Sequence, residues 1–471
     1  MGAPEGDRLR KVLLTFSLLL MTSCGASSRT ARPSDDPDDP ATPADSGRRL
    51  QAVFFESRDG VGVFRHFYDT ELELSCNFVE SESGVWRCLP QGADAALTHG
   101  IVYTDPECSQ PHAALYSYVI ESAACAAPRY AVLPGNCEEG PQVFALGSQA
   151  TTDARYRLID GICSDLGSGT DDLTRLFAAT PVSLERFQSA RLHVGEETGG
   201  IVPVDVRSDD GARVRLGFRD ALEGFDCYLD EEARCVPTDR GLLGNLFADS
   251  GCSQPAAMGQ GCAAERGELR FAWDFSSDLG SYYRVGARLT TSYTGAPDRC
   301  AEAANNVAFE LGPTVPSTRF AAGERATVAA GNLTLTIQTV GTASLPAVTL
   351  RSTAHGGYEC HFARGSDGEL RCMPPPEGYL AALFADAGCS QRVEYTPAEV
   401  LAVEVPDVCP AQVRVYARGD RHEGAVYAIS DGGGCALAYD RPPNDSARTP
   451  YFVFPTEMPP SEFTALVQVV R

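Results

Sequence analysis

Cys76-Asn77-Phe78, then Arg87-Cys88-Leu89-Pro90, then Asp105-Pro106-Glu107-Cys108-Ser109-Gln110 is the stretch that decides the architecture, because it comes round twice more. The second copy reads Cys227-Tyr228-Leu229, Arg234-Cys235-Val236-Pro237 and Asp249-Ser250-Gly251-Cys252-Ser253-Gln254. The third reads Cys360-His361-Phe362, Arg371-Cys372-Met373-Pro374 and Asp386-Ala387-Gly388-Cys389-Ser390-Gln391. Each part has a structural reading. The first two cysteines of a copy staple a hairpin, and the proline after the second stops its strand. The aspartate side chain accepts from backbone amides two or three residues on and caps a turn. The aromatic before it (Tyr103, Phe247, Phe384) ends a strand pointing inward. Arg87, Arg234 and Arg371 are expected to pair with acidic neighbours.

The repeat extends past the cysteines. Val182-Ser-Leu-Glu-Arg-Phe187, Val315-Pro-Ser-Thr-Arg-Phe320 and Pro459-Pro-Ser-Glu-Phe463 each precede a β-rich run. The strand near Arg49 to Val53 reads as a fourth occurrence of that run. Either a closing strand overlaps the start of a ring, or each unit feeds a strand to the next. Elsewhere, Val61-Gly-Val-Phe-Arg-His-Phe-Tyr68, Val214-Arg-Leu-Gly-Phe218 and Leu333-Thr-Leu-Thr-Ile337 are short and β-rich, and Gly, Asp, Pro and Ser punctuate them. Only Pro397 to Val403 and the surroundings of Leu222 offer helix candidates. The fold class is therefore all-β. It comprises three tandem repeats of ~140 residues stapled by disulfides, spanning 48–189, 190–324 and 325–471. A β-propeller-like ring is expected, with a string of β-sandwich modules as the alternative; contacts between the first and third copies separate the two.

Without Cys24, sixteen cysteines remain of the seventeen, an even number that suits complete pairing in an oxidising compartment. Hairpin pairs Cys76–Cys88, Cys227–Cys235 and Cys360–Cys372 come first. Local pairing continues with Cys108–Cys125, Cys252–Cys262, Cys137–Cys163 and Cys409–Cys435. Cys300 and Cys389 are then left to bond each other between copies or stay free. The alternative joins the third to the sixth cysteine position in every copy and leaves Cys262 and Cys409 over. No Cys-x-x-Cys spacing or zinc-finger histidine pair points to a metal instead.

Arg8, Arg10 and Lys11, the apolar run Val12 to Met21 and Thr22-Ser23-Cys24 describe an export signal over residues 1–23. The Met21-Thr22-Ser23-Cys24 segment resembles a bacterial lipobox, which implies lipidation of Cys24, and Gly25 after it leans towards the outer membrane by analogy. Multiple acyl chains anchor stably where one does not. Residues 24–47, with Pro33-Ser34-Asp35-Asp36-Pro37-Asp38-Asp39-Pro40, read as an extended, disordered tether.

Removing residues 1–23 takes away three basic and two acidic groups, so 36 basic face 61 acidic and the charge goes from −24 to −25. Such a surface repels nucleic acid. Lys11 is the only lysine, which rules out a catalytic lysine in the exported chain. Asp249-Ser250-Gly251 resembles a trypsin-like nucleophile segment, but its equivalents lack the serine. No Gly-x-Ser-x-Gly elbow, phosphate-binding Gly-x-x-x-x-Gly-Lys or His-Glu-x-x-His motif occurs. His66, His99, His112, His193, His355, His361 and His422 are scattered, with only His355 and His361 close in sequence. Asp209-Asp210 and Glu231-Glu232 read as turn acids rather than a hydrolytic dyad. No catalytic, cofactor or metal residues are assigned.

The Arg-Cys-x-Pro and Asp-x-x-Cys-Ser-Gln units resemble those of uncharacterised, cysteine-rich repeat lipoproteins of myxobacteria over most of residues 48–471. That resemblance implies compartment and repeat architecture, and no activity. The expectation is a membrane-anchored cell-envelope lipoprotein acting as a non-catalytic binding or structural module for a glycan, peptide or protein ligand. The alternative is an envelope hydrolase whose site is built from residues unique to one repeat.

Overall fold

The computed structural model describes residues 44–471, except 99, 117–127, 151–153, 160, 167–173, 275–280, 304–305, 376–382, 396–399, 406–411, 430–433, 440–450 and 455. The export signal, Cys24 and nearly all of the tether lie outside the described residues, as do His99, Cys125 and Cys409. The described chain is almost wholly β; its one α-helix is the short Gly261–Glu265. Residues 397–399 of one helix candidate lie outside the described residues, and no helix forms in the rest of the two candidates. Val400–Val405 is a strand, as its valines favour, and Leu222 sits in a turn capped by Asp220.

One succession of strands carries most of the core. Leu50–Ser57 pairs antiparallel with Gly62–Asp69, which pairs with Leu74–Glu82 and that with Val85–Pro90. Val85–Pro90 then pairs with Ser189–Val194. From there the order runs through Ile201–Ser208, Arg213–Asp220, Asp226–Leu229 and Cys235–Pro237. The third copy repeats the order with Glu324–Ala330, Leu333–Val340, Ala343–Ser352 and Tyr358–Glu359, followed by the hairpin His361–Arg364 with Leu370–Met373. Bridges Arg234–Ala322 and Arg371–Ala465 join one copy's cysteine hairpin to the start of the next run. The last strand, Leu466–Val470, pairs with Leu50–Ser57 at the start. Alternation drives the local choice. Leu333, Leu335 and Ile337 are buried, while Thr334 and Thr336 between them stay half-exposed.

The strand near Arg49 to Val53 does not match the strand that follows each junction. It is the first arm of a long hairpin, where Ile201–Ser208 and Leu333–Val340 stand in the other copies. The post-junction place in the first copy is filled by Leu466–Val470, from the far end of the chain. The run therefore occurs three times rather than four.

Each junction is a single 3-10 turn, Leu184–Arg186, Ser317–Arg319 and Pro460–Glu462, ending on a buried Phe187, Phe320 or Phe463. The motif arginines hold these turns. Arg87, Arg234 and Arg371 donate to the carbonyl oxygens of Phe187, Phe320 and Phe463 at 3.2, 3.4 and 2.8 Å. Among the described residues, only Arg371 of the three also has the expected acidic neighbour, Asp367. A backbone carbonyl serves because the junction is brought against the arginine by strand pairing, which engages one guanidinium N–H without a second charge and leaves the buried Nε of Arg87 and Arg234 unpartnered.

The strands that follow the cysteine hairpins form further sheets, of eight strands in the first copy and seven in the second. In them each Asp-x-x-Cys-Ser-Gln unit turns one strand into its antiparallel neighbour: Ile101–Tyr103 into Pro111–Tyr116, Gly241–Phe247 into Pro255–Met258, Leu383–Phe384 into Arg392–Tyr395.

Seven disulfides are present among the described residues. The hairpin pairs Cys76–Cys88, Cys227–Cys235 and Cys360–Cys372 form as expected. The remaining local pairing is overturned and the alternative of third to sixth holds in every copy, although Cys262, which it leaves over, bonds Cys137. Third joins sixth, as Cys108–Cys163, Cys252–Cys300 and Cys389–Cys435, with Cα separations of 5.7, 5.6 and 5.7 Å. Cys300 and Cys389 thus do not bond each other. Among the described residues the bond between copies is Cys137–Cys262. Each third-to-sixth bond fastens the aspartate turn to a hairpin brought alongside it by sheet pairing, a proximity that spacing along the chain does not encode.

The first core contains Phe54, Phe67, Leu74, Phe187 and Val206 around Cys76–Cys88. A second gathers Leu333, Leu335, Leu350 and Leu466 around Cys360–Cys372, and it includes Phe55, Val61 and Val63 from the first copy. The first and third copies are therefore in contact, and the Phe55 and Phe362 rings meet edge-on at 5.5 Å.

Candidate functional site

The three motif turns have the same geometry. In each, the aspartate carboxylate accepts from the backbone N–H and Oγ–H of the serine and from the backbone N–H of the glutamine. Asp105 does so at 2.8, 2.8 and 2.7 Å, and Asp249 at 2.9, 2.8 and 2.7 Å. For Asp386 the distances are 3.0, 2.9 and 2.7 Å. The acceptor reaches four and five residues on, because the intervening cysteine takes a left-handed backbone, and Asp386 also accepts from the N–H of Gly388 two residues on, as expected, at 3.1 Å. The φ values are 50°, 49° and 50° at Cys108, Cys252 and Cys389. These hydrogen bonds hold all three carboxyls below the usual aspartate range, led by the backbone N–H of Ser109, Gln254 and Gln391 respectively. Three of a kind and already satisfied, these groups form scaffold. Phe384 is buried as expected, whereas Tyr103 and Phe247 are half-buried.

The copies differ around a cleft of about 630 Å³. Its floor is Leu192, Val204, Leu216 and Phe218 of the second copy with Leu345 of the third, and Trp86 of the first copy and Tyr228 of the second add aromatic surface. Leu216, Gly217 and Phe218 lie on Arg213–Asp220 where the pairing with Ile201–Ser208 shifts register between Val204 and Asp205, and all three line the cleft. Most polar groups at the cleft are occupied. Arg219 pairs with Asp226 at 2.6 Å, and Thr238 donates to the Asp226 carbonyl at 2.9 Å. Glu80 caps the Gly84 turn at 2.9 Å. Gln338 is buried and ties the copies together: its Oε1 accepts from Leu229 N at 3.2 Å and its amide donates to the Leu229 carbonyl. Leu216 remains 41% exposed, and the Trp86 indole N–H has no partner among the described residues. The volume lies within the range of small-molecule sites, which pair apolar walls with a few polar groups.

The acidic pairs are structural. Asp210 accepts from the backbone N–H of Arg49 and Leu50, both at 2.8 Å, and these bonds with that from Ser208 outweigh its burial and hold its carboxyl low. Glu232 accepts from Ser317 at 3.5 Å. Ser250 is a turn residue. Among the described residues no three His, Cys, Asp or Glu side chains converge as a metal would require.

The two histidines close in sequence have different surroundings. His355 lies 3.5 Å from Glu462 and against the Phe463 ring. His361 is brought instead to Arg65, beside His66. Burial first, and the charge of Arg65 second, push both imidazoles down to about 4. Arg65 itself is lowered to about 10 by burial. Comparing copies at one position would have flagged this: His361 stands where the others have Asn77 and Tyr228.

A family model described as a family of unknown function, DUF7481, matches residues 29–441. No curated protein and no solved structure matches the chain.

Proposed function

Because the chain belongs to this family of unknown function, we propose its role from its own residues: a lipid-anchored envelope protein that binds a ligand without catalysis, in the cleft between the three copies. The cleft carries the reading. It is the one place described above where side chains of all three copies meet around an apolar floor, with Leu216 exposed and an indole donor free. A sugar or peptide fits this chemistry, since aromatic faces cover its apolar surface and an indole N–H takes an acceptor.

The pairing of Leu466–Val470 with Leu50–Ser57 supports a propeller-like ring of three repeats rather than separate sandwich modules. A ring so closed leaves no open strand edge at the chain ends. Seven disulfides fit an oxidising compartment, in keeping with export to the bacterial envelope and an anchor at Cys24.

The chain has two tryptophans, Trp86 at the cleft and Trp273 against Arg240. Titrating the purified protein with soluble cell-wall oligosaccharides and peptides should shift tryptophan emission. The shift should survive Trp273→Phe and vanish with Trp86→Phe. A panel that leaves emission unchanged, or a shift that follows Trp273, would overturn the reading. For the anchor, Cys24→Ala should release the protein from membranes into the soluble fraction.

A further inference from the structure

Arg65 is a cation without a counter-charge. Other half-buried arginines have an acceptor: Arg49 grips Asp69 at 2.7 Å, Arg215 holds Asp205 at 2.8 Å and Arg284 holds Glu223 at 2.6 Å, while Arg87 and Arg234, which lack an acidic partner among the described residues, each donate to a backbone carbonyl. Among the described residues nothing accepts from the Arg65 guanidinium. Its neighbours are instead the Phe362 ring, 4.6 Å from the guanidinium carbon to the ring centroid, and the Phe55 ring at 5.6 Å. Stacking on rings engages the face of the guanidinium and leaves its in-plane N–H fork unused. A guanidinium stays protonated in proteins, and withdrawing it from water unpaired is costly. The two side chains beside it, His66 from the next position and His361 from the third copy, add ring nitrogens and no negative charge. Neither imidazole has a hydrogen-bond partner among the described residues. Arg65 still reaches solvent, so the site is open at one side.

We propose that Arg65, His66 and His361, walled by Phe55 and Phe362 at the seam of the first and third copies, form a binding site for an oxyanion, a carboxylate, sulfate or phosphate group. The guanidinium fork matches two oxygens of such a group, and an imidazole N–H donates to another. The site is made of different residues from the cleft, and its existence does not depend on the cleft holding a ligand.

The test is calorimetric titration of the purified protein with sodium phosphate, sodium sulfate and sodium acetate against sodium chloride at constant ionic strength. Saturable binding of at least one oxyanion is expected, and which one binds separates a carboxylate source from a sulfate or phosphate source. Arg65→Gln should weaken it at least tenfold, and Arg65→Lys, which keeps the charge and loses the fork, should weaken it several-fold. His361→Gln should weaken it less than Arg65→Gln. Arg219→Gln, which changes a cleft arginine, should leave it unchanged. Disulfide mapping and circular dichroism of Arg65→Lys guard against misfolding. Absence of saturable binding for all three anions, or equal affinity in Arg65→Gln, would overturn the proposal.

Discussion

Two strands occupy the same place in successive copies and do different things. Gly62–Asp69 and Arg213–Asp220 each end on a buried phenylalanine, Phe67 or Phe218, and an aspartate that caps the following turn. Asp69 accepts from the N–H of Glu71 and Leu72, and Asp220 from the N–H of Leu222 and Glu223. Just before the phenylalanine, one strand carries Arg65-His66 and the other Leu216-Gly217. The first pair makes a cationic seam against the third copy, and the second makes the bare apolar wall of a cleft. The residues that hold the fold are alike, and the two positions between them set the chemistry offered to solvent.

The comparison depends on the two copies being held together, and the largest predicted effect breaks that. Cys137–Cys262 spans 125 residues, against 8 for Cys227–Cys235 inside a copy. In the loop-entropy model these closures contribute about 5 and about 2.5 kcal/mol respectively. Denaturant unfolding of Cys137→Ala/Cys262→Ala should therefore show a larger loss than Cys227→Ala/Cys235→Ala. Equal losses would mean that strand pairing alone fixes the first copy against the second.

The next contrast sets a structural arginine against Arg65. Arg49 makes a two-pronged bond to the fully buried Asp69 carboxylate, so Arg49→Leu strands a buried charge and should cost about 3 kcal/mol. Arg65 has no partner to strand. Arg65→Leu, which copies the Leu216 solution into the first strand, should leave stability unchanged or raise it by up to about 1 kcal/mol. A large loss in Arg65→Leu would make Arg65 part of the scaffold.

These cases also show what was legible in the sequence. Period-two patterning and turn residues announce an all-β chain, and the hairpin cysteines and aspartate turns are local enough to read by spacing. What was misread is long-range. Cys108 bonds Cys163 rather than a nearer cysteine, Arg87 reaches the carbonyl of Phe187, and the first copy's missing strand is Leu466–Val470. Each depends on which segments strand pairing brings side by side, which local spacing does not encode. The seam at Arg65 escaped for the same reason, since Phe362 and His361 lie nearly three hundred residues away along the chain.

A smaller effect follows from the same seam. The imidazoles of His66 and His361 sit at about 4 in the folded protein against an ordinary value of 6.5. Between those values the unfolded chain takes up protons that the folded chain refuses, so stability should fall as pH drops from about 6.5 towards 4. The second copy carries Gly217 and Tyr228 at these positions and adds nothing to that fall. Arg65→Leu removes the lesser cause of the depression and leaves burial, so the fall should become shallower without disappearing. Urea unfolding midpoints at a series of pH values would measure it, and an identical slope in Arg65→Leu would deny that Arg65 acts on either ring.

The smallest effect should be the same in all three copies. Asp105, Asp249 and Asp386 accept equivalent sets of hydrogen bonds and are half-exposed. Their carboxyls are held below the ordinary value, so their contribution is complete above it and is lost as pH falls below it. Asparagine keeps one acceptor oxygen and gives up the other, so each Asp→Asn change should lower the melting temperature slightly at neutral pH and by less in strong acid. The left-handed cysteine behind each carboxylate is held by a disulfide as well, which keeps the loss small. Three equal shifts would establish the turns as one repeated scaffold element. One site standing apart from the other two would show that its copy uses the turn for something the others do not.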